Sequence, residues 1–525
     1  MDKRVKKVVN LLNPVETKSR VRAMLFVTVA AFIVSRLLYL LAGFRFEAFE
    51  NDHLLHFLSR ELLRDDLLRS LFYLHTQPPL FNFFIGIMVK LFPVATTAAF
   101  HWFYTSVGLI LTVSMYLLMV RLGVSSTISA LLTIMFAASP ACILFENILL
   151  YTYFAATFLC LAGLFLHRFV SGSRLLDGFM FFTMLALVIL TRSFFHPAWF
   201  ILILLPLLVL AKTLRKKIIL AASIPLLVVL LLYGKNAFLF GDFSSSSWLG
   251  MSFSKMTTFR LPEDERIALV GKGKISELSL LAPFKAIWYY DQYVAIPKFE
   301  KTGIPIMDME FYPNVGNNWN NLSFISISRQ YMEDALYVLK SYPGRYFGSV
   351  LGAFRIYFFP SSDWFHIYSS IDNVGKIKTV EMFYDILLYG QFFGFPRPEP
   401  LTEHHDEYFH TTLNIGLFLL AGFLISVIYG GLVIFRELTK KTYESPLLAT
   451  VLFLLITIAY VTVVSNCLEI GENERFRFNI DPLLVVLFGV FLTNVIVGIR
   501  HRYAVEQTVQ KGNGEIPAKK RGRKK

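Results

Sequence analysis

The chain is short of charge: Asp, Glu, Lys and Arg make up only 17% of its 525 residues, against about 25% in a typical soluble domain. That shortage excludes disorder, arrays of charged helices and an ordinary cytosolic enzyme. Cysteine is scarcer still. There are three, Cys142, Cys160 and Cys467, and two of them lie inside apolar runs. No disulfide framework or metal knuckle can be built from that set. Acidic residues are outnumbered by basic ones, 37 against 51, for a net charge of +14. In a soluble protein this excess would raise nucleic acid as a partner. Here the basic residues flank apolar runs, the pattern that orients membrane helices, so no nucleic-acid role follows. What the sequence has in abundance is apolar side chains, 55% of the total, with a mean hydropathy of +0.55. This composition predicts a polytopic α-helical membrane protein.

A basic N-terminus (Lys3, Arg4, Lys6, Lys7) precedes a first apolar run that starts near Ala23 without a small-residue cleavage site, so no cleavable signal is expected. A spanning helix needs about 20 apolar residues. Ten runs qualify: 23–42, 100–120, 127–145, 149–166, 176–191, 197–210, 218–233, 413–435, 447–464 and 482–499. An eleventh, 79–92, is short and carries Asn82 and Lys90. If it does not cross, Arg121, His167-Arg168, Arg174, the cluster around Arg215-Lys216-Lys217, Arg436 with Lys440-Lys441, and Arg500 all join the basic N-terminus on the cytoplasmic side. If it crosses, they move outside. The first parity predicts ten spans, with 79–92 lying at the outer interface. The chain then divides into a cytoplasmic N-terminus (1–22), a membrane module (23–233) with an outer loop (43–78), a mixed non-cytoplasmic segment (234–411), last spans (412–500) and a basic tail (501–525). The tail, ending Lys519-Lys520-Arg521-Gly522-Arg523-Lys524-Lys525, is expected to be disordered with anionic lipid as its partner.

Ionisable residues at a membrane are costly and therefore candidates for function. In this topology they gather on the outer side. The first outer loop holds Glu50-Asn51-Asp52-His53 and, further on, His75-Thr76-Gln77-Pro78-Pro79-Leu80. Leu54, Leu55, Leu58 and Leu62 predict an amphipathic helix from Asp52 onward, with Asp52 either its N-cap or a functional carboxylate. Other outer turns carry Glu146 with Tyr151, Arg192 with His196, and Glu472-Asn473-Glu474-Arg475-Phe476-Arg477. An isolated arginine at a helix end is usually a snorkelling anchor. Two arginine-bearing turns on the face that holds Asp52 and His75 suit a lipid-linked phosphate instead. Guanidinium groups would clamp the phosphate, and a carboxylate would take the proton of an acceptor hydroxyl.

A first span, an outer Asp, and His75-x-Gln77-Pro78-Pro79-Leu80 about two dozen residues on resemble the GT-C membrane glycosyltransferases. The resemblance is to the branch of the bacterial lipid A aminoarabinose transferases and protein O-mannosyltransferases, and covers the first 200 or so residues. It implies a GT-C-like fold with juxtamembrane helices, a polyprenyl-phosphate sugar as donor, and Asp52 as catalytic base. The family's usual Asp-Glu pair reads Asp52-His53 here, which leaves Glu146 as the candidate second carboxylate. Glu474-Arg475-Phe476-Arg477 resembles a late arginine motif near the carrier phosphate. The donor phosphate is expected at His75, Arg192, His196, Arg475 and Arg477, and the substrate at His53, Gln77, Tyr151 and Trp319. No nucleotide is implied, metal dependence stays open, and the acceptor is a lipid, glycan or protein. A multi-pass protein of the bacterial plasma membrane or the endoplasmic reticulum is expected. Trp319, set among Asn317, Asn318, Asn320 and Asn321, suits a polar surface turn ahead of a sugar contact. A transporter of lipid-linked sugars and a non-catalytic assembly subunit are the competing readings. A transporter would place charges mid-membrane in broken helices.

Overall fold

Local signals in the sequence set where the helices start. The computed structural model describes residues 16–48, 57–295, 299–312, 316–364, 371–388 and 416–514. Its first helix, α1 (Lys18–Leu41), is capped by Thr17. Three short helices follow: α2 (Arg60–Asp65), α3 (Leu67–Phe72) and α4 (Pro79–Leu91). The membrane module continues with α5 (Thr96–Arg121), α6 (Ser126–Ala137), α7 (Pro140–Glu146), α8 (Thr152–Gly172), α9 (Leu175–Thr191), α10 (Pro197–Leu210) and α11 (Arg215–Phe240). A side-chain cap followed by proline at the first helical position opens α7 at Ser139-Pro140 and α10 at His196-Pro197. That pairing satisfies an orphan N–H and omits another.

The protein is a multi-pass helical membrane protein. Among the described residues, seven helices are long and apolar enough to cross, eight if α6 and α7 form one bent span. Each of the ten apolar runs read from the sequence is mostly helical among the described residues, but α9 and α10 have only 17 and 14 residues. At 1.5 Å per residue they reach about 25 and 21 Å, short of a hydrocarbon core of about 30 Å. The run 127–145, expected as one span, is broken by 60° between α6 and α7. Ser139 there caps a new helix, and Pro140 has no N–H to continue the old one. The helix expected from Asp52 begins at Arg60 among the described residues, and Ser59 caps it by accepting from the Leu62 N–H at 3.3 Å. Asp52 and His53 lie outside the described residues.

Beyond α11, the regular structure of the described residues in 234–411 is mainly short helices. Its main elements are α12 (Leu249–Met256), α13 (Ser323–Ser341), α14 (Pro343–Tyr357) and α15 (Ile371–Leu388). A single antiparallel pair, β1 (Phe311–Tyr312) with β2 (Gly316–Asn317), is the exception among the described residues. The last helices are α16 (Leu417–Thr439), α17 (Pro446–Leu468), α18 (Asn473–Phe478) and α19 (Asp481–Gly514). The tail expected to be disordered from 501 is helical as far as Gly514.

The membrane core runs through α5, α8, α9 and α17, with Tyr104, Leu159, Phe182 and Leu454 fully buried. Smaller apolar clusters hold the 249–357 module, one of them around Met251, Phe324 and Tyr331. The module grips the bundle through polar ties. Lys255 pairs with Glu469, and the Tyr346 hydroxyl donates to the Cys467 carbonyl at 3.1 Å. Inside the module α12 lies directly on α13. A Cβ on Gly250 would fall 1.7 Å from the Ser328 carbonyl oxygen and 2.9 Å from the Met332 nitrogen. Both are backbone atoms, so no rotamer change relieves the clash. Gly250→Ala is expected to cost about 1–3 kcal/mol or more through overpacking, read as a lower Tm and faster proteolysis within 249–341. An unchanged Tm would show that α12 is free to shift.

Candidate anion-binding site

Four chain turns meet at the end of the bundle that carries the 249–357 module. Arg192 is the C-cap of α9, where the negative end of a helix favours a cation. Tyr151 precedes α8 as its N-cap residue, and Arg475 sits in the last turn of α18. Both arginines are buried. The Arg192 guanidinium lies 4.5 Å from the ring centre of Phe476, 4.6 Å from Phe194 and 5.3 Å from Tyr151. Arg475 lies 4.7 Å from Trp364 and 5.8 Å from the same Tyr151. Desolvated contacts of this kind are worth about 2 kcal/mol each, which lets aromatic faces carry part of the charge. The two arginines are close enough to repel one another.

Their hydrogen-bond inventory is incomplete. Arg192 Nη1 donates at 3.3 Å to both Thr152 Oγ1 and Asn479 Oδ1. Arg475 Nη2 is paired with Glu472. Arg192 Nη2 and Arg475 Nε and Nη1 are buried without a hydrogen-bond partner among the described residues. Buried donors are normally satisfied, and a charged one left unmet costs several kcal/mol. Two guanidiniums with spare N–H groups over a shared tyrosine have the donor geometry that suits an anion with several acceptor oxygens.

The other residues singled out from the sequence are placed differently. Glu146 is engaged on both oxygens. Arg36 Nε and Nη2 donate to Oε1 and Oε2 at 2.9 and 2.5 Å, and the Tyr153 hydroxyl donates to Oε2 at 2.7 Å. Gly108 makes room, since a Cβ there would meet Glu146 Oε2 at 2.3 Å. Glu146 is thus the counter-ion of a buried arginine and not a carboxylate held in reserve. Arg477 is equally committed. It donates to the Phe359 carbonyl at 2.8 Å, to Ser361 Oγ at 3.1 Å, to Asp481 Oδ1 at 3.0 Å and to the Tyr357 carbonyl. It ties α14 to α18. His196 caps α10 with its Nδ1 and meets Tyr233 edge-on.

His75 is a joint between the outer loop and the module. Its Nδ1 is 2.8 Å from Ser247 Oγ and its Nε2 is 2.9 Å from the Asn320 carbonyl oxygen, so Nε2–H donates and Nδ1 accepts. Gln77 is buried two residues on. The Asn-rich turn around Trp319 belongs to this joint and is no polar surface turn. Asn318, Asn320 and Asn321 are buried, and Asn320 Oδ1 accepts from the His75 and Thr76 backbone N–H groups. Trp319 packs on Phe324 beside a cavity of about 10 Å³, room for one water and no sugar ring.

Sequence reasoning missed Arg36, whose only signal was a charge inside the first apolar run. It also passed over Phe194, Phe476 and Trp364, which look like ordinary lipid-facing aromatics until the arginines are placed against them. In comparison with known proteins, the chain matches no family model, no curated protein and no solved structure.

Burial pushes the His75 imidazole down from 6.5 to about 3, with Lys235 adding to the effect against the pull of the Asn320 carbonyl. Between those values the unfolded chain takes up a proton that folded His75 refuses. Stability from this group is therefore complete above pH 6.5 and declines as pH falls. From pH 7 to pH 5 the loss amounts to about 2 kcal/mol at 1.36 kcal/mol per unit. Thermal melts should show a drop in Tm over that range that shrinks in His75→Gln, a variant less stable at pH 7. An identical pH slope in both proteins would place the titrating group elsewhere.

Proposed function

We propose that the protein is a membrane glycosyltransferase that moves a sugar from a polyprenyl-phosphate carrier to an acceptor hydroxyl on the non-cytoplasmic face. The observation that carries this reading is the buried Arg192–Arg475 pair with N–H groups to spare beside Tyr151. In the proposed reaction, a carboxylate takes the proton of the acceptor hydroxyl as its oxygen attacks the anomeric carbon. The carbon–oxygen bond to phosphate breaks, the sugar inverts, and the two guanidiniums hold the departing phosphate. Asp52 is the proposed base, because Glu146 is spent on Arg36. The chain on either side of Asp52 is anchored near the site. Glu47 exchanges backbone hydrogen bonds with Asn147 and Leu149, and the Leu58 N–H donates to Asn82 Oδ1 at 3.0 Å.

A lipid carrier also fits the surroundings of α18. An apolar cavity of about 430 Å³ lies among α6, α15, α16 and α19, lined by Phe136, Phe418, Phe423 and Phe488, with Arg477 and Ser361 in its wall. It offers a prenyl chain an apolar path beside the helix that bears Arg475. The reading also assigns ten crossings, with α9 and α10 as thin spans, α4 at the outer interface and both termini in the cytoplasm.

One observation favours transport of a lipid-linked sugar instead. The α6–α7 break with the Arg36–Glu146 pair at its end is the kind of discontinuous helix found in transporters. Purified protein in lipid nanodiscs, supplied with polyprenyl-phosphate sugars and a hydroxyl acceptor, separates the two. A glycosyltransferase forms a new glycosidic bond with inverted anomeric configuration. Arg475→Lys is expected to raise the KM for donor tenfold or more, since an ammonium cannot replace the fork. Asp52→Asn, a near-isosteric exchange that removes only the charge, should keep Tm while kcat falls about 10²–10⁴-fold. Wild-type kinetics in both variants, or no bond formed while lipid-linked sugar crosses vesicle bilayers, would refute the enzyme reading.

A further inference from the structure

The anion site already contains an anion. We propose that Glu472 is a built-in stand-in for the phosphate: its carboxylate neutralises Arg475 when the site is empty and leaves when phosphate arrives. The inference rests on the reading of Arg192 and Arg475 as a phosphate site and adds the group that sets its affinity.

Three features support it. The first is charge. Glu472 is the carboxylate paired with Arg475, and Arg192 lies close enough to Arg475 for the two cations to repel. A sugar phosphodiester carries a single charge, so it can replace the carboxylate one for one. The phosphate monoester left after transfer carries about −1.5 to −2, and needs both guanidiniums more. A carboxylate waiting to return to Arg475 then helps that product depart.

The second is accessibility. The Arg475 side chain is 2% exposed, whereas that of Glu472 is 28% exposed. The carboxylate can turn outward into water without moving the arginine. Glu472 is the N-cap of α18, and its side chain makes no capping hydrogen bond.

The third is the way the loop is held. Glu469, three residues earlier, is fixed by Lys255 of the outer module. Asn473, one residue later, donates to the Ser465 and Glu469 carbonyls, each at 3.1 Å. Gly471 between them has φ +114°, a left-handed conformation that other residues rarely adopt. The backbone on both sides of Glu472 is therefore fixed, and exchange needs only a side-chain rotation.

The test is binding of inorganic phosphate and of a polyprenyl phosphate to purified protein in nanodiscs, for wild type, Glu472→Gln, Glu472→Asp and Glu469→Gln. Glu472→Gln removes the competing charge and should tighten both ligands about tenfold, the scale of one charge-assisted hydrogen bond of about 1.4 kcal/mol. Its Tm without phosphate should fall and recover on adding phosphate. Glu472→Asp, too short to reach Arg475, should also tighten binding if Glu472→Gln fails to fold. Glu469→Gln makes the same charge change on the same loop and should leave affinity unchanged. Equal affinities in wild type and Glu472 variants, weaker binding in Glu472→Gln, or equal tightening by Glu469→Gln would overturn the inference and leave the phosphate site standing. Absence of phosphate binding in every variant would overturn both.

Discussion

A charge buried in an apolar bundle has to be answered, and the Arg36–Glu146 pair is where this protein meets that demand first. Arg36 belongs to α1 and Glu146 to the end of α7, so the pair locks the first span to the broken helix. Removing either partner would strand the other at a cost of about 3–5 kcal/mol. Much of the neighbouring design follows from satisfying it. Gly108 gives up its side chain, Tyr153 lends its hydroxyl, and the Ala137 carbonyl at the end of α6 accepts from Arg36 Nη1 at 2.8 Å. The break between α6 and α7 frees that carbonyl from the helix ladder. With α7 fixed, Asn147 and Leu149 are held against Glu47, and Tyr151 is delivered to the arginines.

The second charged centre is solved differently. Arg192 and Arg475 have aromatic faces around them, Arg475 is paired with Glu472, and part of their hydrogen-bonding capacity is unused among the described residues. Arg36 and Arg477 spend their N–H groups on the chain itself, while this pair keeps some in hand. That contrast separates arginines that hold the fold from arginines positioned to hold something else.

The helices were legible from apolar run length and from start signals such as Ser139-Pro140 and His196-Pro197. Run length alone could not reveal that 127–145 is broken, because a proline after a serine reads both as a cap and as a tolerated interior residue. Arginine-bearing turns on one face pointed to Arg192 together with Arg475, but not to the Tyr151 ring they share. Assigning Glu146 and Arg477 correctly needed three dimensions, since their partners lie 110 and 118 residues away in sequence. His75 was recognised as special for its place before a Pro-Pro turn, but its partner Asn320 is 245 residues distant. No spacing rule reaches that far, and an Asn-rich stretch reads as surface until a buried histidine is found using it.

The account stands or falls on whether the arginine pair receives a phosphate. A cryo-EM map of the protein in nanodiscs with a polyprenyl phosphate addresses this most directly. The account predicts phosphate density within hydrogen-bond reach of Arg192 Nη2 and Arg475, over Tyr151, with Glu472 turned away and the prenyl chain running toward Phe418 and Phe488. Phosphate density elsewhere, with Glu472 still on Arg475 and the pair unchanged, would contradict it.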